Sequence, residues 1–179
     1  ACLPTNPGGW ACWGWVAEGP DGEDLAQGYG VIGKAPSMTN NLAEYHALLF
    51  ALCWLQDSGY KGVRVCGDSE LVVRQVEDEY ACNALHLAGL RDGARRLVEE
   101  TQSLLSWIQR EQNAKADACS QKAYKEALKE HGFTGRRLQF VDPRSDMEED
   151  SRLWTWLLRE TRKQVGVCEA LGELRQMGA

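Results

Sequence analysis

A mixed-sheet α/β fold is predicted for this chain of 179 residues, on three observations. Two strand-like runs joined by a Pro-Asp-Gly turn open the chain. Short β-branched runs and longer helical stretches then alternate, and capping residues and glycines punctuate that alternation.

Trp10 to Ala17 is aromatic and β-branched, Gly19-Pro20-Asp21-Gly22 supplies a turn, and Leu25 to Ile32 is a glycine-rich second strand; together they predict a hairpin. Thr39 can cap a helix running from Asn40 to Ser58 and stopping at Gly59. Val63 to Cys66 is a short strand with Asp68 just past its end. Helices are expected from Ser69 to Asp78 and between Leu85 and Thr101, then a strand over Leu104 to Ile108. A last helix, Ala114 to Glu130, is stopped by Gly132. The order β-β-α-β-α-α-β-α gives an antiparallel hairpin plus parallel strands, flanked by helices. From Gly132 the chain changes in kind. Residues 132–144 are expected as linker, and Ser145-Asp146-Met147-Glu148 fits a capping box opening a helical C-terminal extension over 145–179.

Apolar residues make up 44% and charged residues 26%, the balance of a globular domain rather than a disordered or collagen-like chain. The apolar run Tyr45–Gln56 is well short of the ~18–20 residues a membrane span needs, and no basic n-region leads into an apolar h-region at the start. No two cysteines fall at zinc-knuckle spacing, so reduced thiols in a cytoplasmic protein are expected. The net charge is −6, and the acidic excess lies in residues 1–131, with 12 basic against 18 acidic residues. Such a body repels nucleic acid unless basic patches or bound cations reverse the field.

Three acids stand where acids are costly. Glu44 shares a helical face with Leu48, Ala51 and Leu55, and an unpaired buried charge costs on the order of several kcal/mol. The competing reading keeps Glu44 wet in the first turn, favouring the helix dipole. Asp68 follows a strand at its carboxyl end, where open α/β sheets place ligands, although Asp68 or Ser69 could equally cap the next helix. Asp117 lies in the first turn of the last helix, beside the small-residue stripe Ala116, Cys119, Ala123 and Ala127. Carboxylates clustered without His or Cys are hard oxygen ligands suited to Mg²⁺ or Mn²⁺. Two such ions can activate water against a phosphodiester, and bound cations would also answer the charge objection.

The segments carrying these acids resemble one family. Thr39-Asn40-Asn41-Leu42-Ala43-Glu44-Tyr45-His46-Ala47-Leu48 is similar to the TNN-x-AEY-x-AL segment of type 1 ribonucleases H. Gly67-Asp68-Ser69-Glu70-Leu71-Val72-Val73-Arg74-Gln75 resembles its DS-x-LVV-x-Q segment. Arg110-Glu111-Gln112-Asn113-Ala114-Lys115-Ala116-Asp117 resembles RE-x-N-x-x-AD, and Ala1-Cys2-Leu3-Pro4-Thr5-Asn6-Pro7-Gly8-Gly9 is similar to the stretch after the family's first catalytic aspartate, DGA-x-x-x-NPG. The resemblance covers residues 1–131 and leaves the remainder outside.

The resemblance implies a ribonuclease H-like fold and a two-ion Mg²⁺ or Mn²⁺ site. Glu44, Asp68 and Asp117 would be three of its four carboxylates, with Asp68 bridging the ions. It also implies that Asn40 and Asn41 contact an RNA/DNA hybrid near its minor groove, with Cys2, Asn6 and Ser69 as weaker contacts. The activity implied is endonucleolytic cleavage of the RNA strand to 5′-phosphate and 3′-hydroxyl ends. The family's leading aspartate would stand two residues ahead of Ala1, on a strand normally central in the sheet, so the chain is expected to begin inside the domain. Asp21 and Asp24, in the hairpin turn, are not expected to replace it. Gln109 to Ala116 lacks the His that many members carry there, and His46, His86 and His131 are expected as surface or packing residues. Residues 76–102 lack a strongly basic handle, although Arg91, Arg95 and Arg96 could meet phosphate. The alternative is a non-catalytic nucleic-acid-binding module of the same fold. No membrane partner is expected; Trp154, Trp156, Leu157 and Leu158 could form a partner-binding helix or fold back on their own domain.

Overall fold

The computed structural model describes residues 1–131. The expected linker 132–144 and helical extension 145–179 lie outside them.

The hairpin forms as expected, from β2 (Trp10–Glu18) and β3 (Asp24–Lys34), paired antiparallel from Trp10↔Lys34 to Glu18↔Asp24 with irregularities at Ala11/Cys12 and Ala17/Glu18. The turn closes through Gly19 N–H to Glu23 O at 2.8 Å and Gly22 N–H to Gly19 O at 3.0 Å, with Gly22 at φ +80°. One strand had no counterpart in the sequence reading: β1 (Cys2–Leu3) lies antiparallel on the other edge of β2, Cys2 opposite Ala11. A two-residue strand is too short to carry a period-2 pattern.

Helix α1 (Asn40–Asp57) is capped by Thr39, whose hydroxyl accepts from Leu42 N–H at 3.3 Å. Strand β4 (Arg64–Gly67), helices α2 (Glu70–Val76) and α3 (Leu85–Thr101) and strand β5 (Leu104–Trp107) follow. A single 3-10 turn, Arg110–Asn113, leads into α4 (Ala114–His131). β4 and β5 pair in parallel, Arg64↔Leu104 through Gly67↔Trp107. Antiparallel and parallel pairings are therefore both present, but among the described residues they form two sheets, β1-β2-β3 and β4-β5.

The hairpin has a core on each face. On one side Trp13 stacks on Phe50 with ring centroids 4.1 Å apart, within a cluster including Leu42, Leu49, Leu52 and, from α3, Leu90 and Leu97. Each large apolar side chain fully buried there contributes roughly 1.5–3 kcal/mol. On the other side Trp10, Cys12 and Val31 pack on Ala123 and Ala127 of α4. Of the predicted stripe Ala116, Cys119, Ala123 and Ala127, the last three are buried and Ala116 is partly exposed. Gly14 is what lets α4 approach, since a Cβ there would stand 2.6 Å from Ser120 N and 2.7 Å from Ala116 O.

The stripe assigned to α1 needs correction. Its most buried positions are Leu42, Ala43, Tyr45, His46, Leu49, Phe50 and Leu52, whereas Leu48 and Ala51, on the face of Glu44, are only partly buried. They pack at the margin of the core and also line an opening in the protein. His46 is a packing residue, fully buried, with Nδ1 2.8 Å from Leu42 O.

Candidate active site

A cavity of about 720 Å³ opens between the two sheets. Its walls are β2 and β4, its floor is α1 through Leu48 and Ala51, and the segment Gln112–Ala116 covers it. Glu44 and Asp68 both line this cavity, and Asp117 is not among its lining residues.

Glu44 enters from the first turn of α1. Its Oε1 accepts from Asn40 Nδ2 at 3.3 Å and pairs with the Ala1 ammonium group at 3.5 Å. Burial raises its pKa above the ordinary glutamate value; the Ala1 amine opposes that shift and the Asp68 charge adds to it. Asp68 sits where β4 has just ended. Its Oδ1 accepts from Asn113 Nδ2 at 3.0 Å, and its backbone carbonyl accepts from Trp107 Nε1 at 3.2 Å. Two elements beyond β4 therefore fix the carboxylate and its backbone, the 3-10 turn and β5.

Asp117 is turned to partners of its own. Its Oδ1 accepts from Arg110 at 3.3 Å, and its Oδ2 accepts from Gln121 Nε2 one helical turn on, at 2.8 Å. The structure thus brings Glu44 and Asp68 into one cavity and holds Asp117 apart, paired with an exposed arginine. Among the described residues no three His, Cys, Asp or Glu side chains gather at metal-holding distance. The donor chemistry of the Glu44–Asp68 pair still fits a hard divalent cation, because both are carboxylate oxygen donors and a cation beside Glu44 would offset the burial and the Asp68 charge that raise its pKa.

The remaining expected contacts divide. Asn40, Asn41 and Ser69 are partly exposed and Asn6 is exposed, all near element starts. Asn6 Oδ1 accepts from Asn40 N–H at 3.0 Å, tying the loop after β1 to the start of α1. Cys2 does not fit its expected role: it is buried, its thiol donates to Thr5 O at 3.2 Å and Met38 O at 3.4 Å, and burial raises its pKa. The arginines of α3 are engaged within the protein. Arg91 pairs with Asp92 and Arg96 with Glu100, while Arg95 donates to Gln75 O, Val76 O and Asp78. Asn113, Trp107, Arg110 and Gln121 were given no role from the sequence. Asn113 and Arg110 stood inside a segment already recognised, and the Asp117–Gln121 spacing was a legible signal.

The family model described as "Reverse transcriptase-like" matches residues 11–123. A ribonuclease HI of Halobacterium salinarum is 37% identical over 123 residues, covering 68% of this chain; the chain spans about 60% of that relative's length. Among solved structures, the crystal structure of RNase H1 from the same archaeon matches with a TM-score of 0.63 and 34% identity, covering 70% of this chain and 93% of that one. The N-terminal RNase H domain of rv2228c from Mycobacterium tuberculosis gives 0.64 and 29%, covering 72% and 91%. LC11-RNase H1 in complex with an RNA/DNA hybrid gives 0.63 and 32%, covering 70% and 93%.

Proposed function

The chain belongs to the ribonuclease H family, and from that premise we propose a metal-dependent endoribonuclease that cuts the RNA strand of RNA/DNA hybrids, leaving 5′-phosphate and 3′-hydroxyl ends. The observation that carries the reading is the pair of carboxylates in one cavity, Glu44 and Asp68, close enough for the charge of one to raise the pKa of the other. Two negative groups so placed favour a site that receives positive charge.

Glu44 and Asp68 would hold Mg²⁺ or Mn²⁺, with Asp117 joining them on release from Arg110. The ions would supply an activated water and neutralise charge at the scissile phosphate. The chain's own residues set the geometry. Asn113 holds one oxygen of Asp68, and Asn40 holds one oxygen of Glu44. Arg110, released from Asp117, becomes a phosphate partner at the rim. Asn40, Asn41, Asn6 and Ser69 present short polar groups suited to the wide, shallow minor groove of an A-form-like hybrid and its 2′-hydroxyls. The support for the hybrid as substrate is the likeness to LC11-RNase H1, whose structure was solved with one.

The Arg110–Asp117 pair favours a second reading, a binding module of the same fold that does not cut. One experiment separates the two. A labelled RNA/DNA hybrid is incubated with Mg²⁺ or Mn²⁺ and this chain, beside a form extended upstream by a strand ending in Asp-Gly. Cleavage in either form, abolished by Asp68→Asn while hybrid binding is kept, is the expected result. Retained cleavage in Asp68→Asn would overturn the assignment of Asp68. Hybrid binding with no cleavage in any form would establish the module.

A further inference from the structure

Trp107 ends β5 with its side chain 42% exposed, so burial alone does not account for a tryptophan at this position. Its indole Nε1 donates to the backbone carbonyl of Asp68 at 3.2 Å, and the next residue, Ile108, donates its N–H to Gly67 O at 3.0 Å. These two bonds take the carbonyls on either side of the Asp68 Cα. Each peptide unit is planar, so fixing both units constrains φ and ψ of Asp68 and aims its Cα–Cβ bond. A third bond, from Asn113 Nδ2 to Oδ1 at 3.0 Å, then holds the carboxylate itself. The common device for ordering such a junction is not used: among the described residues, the side chain of Ser69, the N-cap of α2, makes no capping bond. Of the two bonds to the carbonyls, only the one from Trp107 comes from a side chain. A substitution can therefore remove it and leave the ladder intact.

We propose that Trp107 is a positioning residue: its indole N–H holds the peptide unit after Asp68 and so directs the Asp68 carboxylate in the cavity it shares with Glu44. This deepens the reading of Asp68 as a metal ligand and rests on it. The parallel register brings Trp107 alongside Gly67, the last residue of β4. One residue on, where the chain leaves the strand for α2, the Asp68 carbonyl meets the indole. The placement of a neighbouring strand is thereby passed to a carboxylate, as bonds behind a metal ligand do when they set its orientation. The bond is open to water, so it adds little to the stability of the fold. What it requires is a ring N–H at one place. The Nε2 of a histidine stands, like the indole Nε1, two bonds beyond Cγ in a five-membered ring and can bear a proton. A phenylalanine fills the ring space and offers no donor.

The test compares Trp107→Phe, Trp107→His and Asp68→Asn with the wild type, in this chain and in the form extended upstream. Mn²⁺ affinity is read by electron paramagnetic resonance without nucleic acid, and kcat and KM are read on the labelled hybrid. Trp107→Phe is expected to weaken Mn²⁺ binding about ten-fold, the usual scale for losing a bond behind a ligand. Wherever the hybrid is cut, kcat falls by a similar factor while KM, hybrid affinity and the urea midpoint stay at wild-type values. Trp107→His restores both Mn²⁺ affinity and kcat. In the metal-free protein the carbonyl carbon chemical shift of Asp68 moves in Trp107→Phe and returns in Trp107→His. Wild-type Mn²⁺ affinity in Trp107→Phe, with the loss confined to Asp68→Asn, would overturn the proposal and leave the assignment of Asp68 standing. Equal affinity in Asp68→Asn and wild type would overturn that assignment, and the positioning role with it. Weaker hybrid binding in Trp107→Phe at unchanged Mn²⁺ affinity would make the exposed ring a nucleic-acid contact, and equal losses in the Phe and His variants would make it packing; either result overturns the proposal.

Discussion

His46 lies fully buried on α1 with Nδ1 against Leu42 O, and burial holds its pKa down at about 4, against an ordinary 6.5. A depressed pKa means the native ring refuses a proton that the unfolded chain accepts. Above pH 6.5 the ring is neutral in both states and its contribution is whole; as pH falls from 6.5 toward about 4 that contribution is lost. The loss amounts to about 3 kcal/mol. Urea titrations across that range should show it, and His46→Leu should flatten the profile; an unchanged pH dependence in the variant would place the acid sensitivity elsewhere. Glu44 shows how far a single residue could be read. Its place on a helical face next to apolar residues was visible in the sequence, which left a buried and a wet reading open; burial raises its pKa, and the side chain is partly exposed. Its partner Asn40 stands one helical turn earlier, at a legible spacing, whereas the Ala1 amine was not visible because it reaches Glu44 through a fold-dependent contact 43 positions away in the chain.

Between elements, close approach decides. The hairpin, its turn, α1 with its Thr39 cap and the helix α4 were legible because period, capping and turn residues agree over long runs. The two-residue β1 and the 3-10 turn over Arg110–Asn113 carry no period and were not. Nor was the division into two sheets, since which strand edges meet is a matter of tertiary geometry. The contact of α4 with the hairpin depends on Gly14, whose missing side chain leaves room for the Ala116–Ser120 backbone. Gly14→Ala forces backbone against backbone and should destabilise the fold by about 1–3 kcal/mol. A lowered urea midpoint with an unchanged slope would report it; a wild-type midpoint would mean that α4 shifts at no cost.

At the scale of the whole molecule, charge dominates. The described residues carry the acidic excess of the chain, and the arginines of α3 are bound within it rather than offered outward. A body of this kind gains from any cation that binds its native state. Millimolar Mg²⁺ should therefore raise Tm by a few degrees over NaCl at the same ionic strength, and Asp68→Asn should lose the difference. An equal rise in both proteins would mean general screening and no site at Asp68. That the site is acidic was evident from composition and motif; that two of its acids share a cavity while the third is held by Arg110 was not, because residues far apart in sequence meet there only after folding.

The two faces of the hairpin are unequally loaded. α1 and α3 share a broad apolar cluster with it, while α4 rests on β2 and β3 through the small patch around Ala123 and Ala127, with Lys115 paired to Glu18 and Asp24 at the exposed end. That patch and the close approach at Gly14 set how the helix seats on the hairpin. Asp117 rides on that helix and Glu44 does not. The geometry of the acidic set is then fixed in part by how one helix seats on the sheet, and a change far from any carboxylate, on the Ala123 face, would alter it.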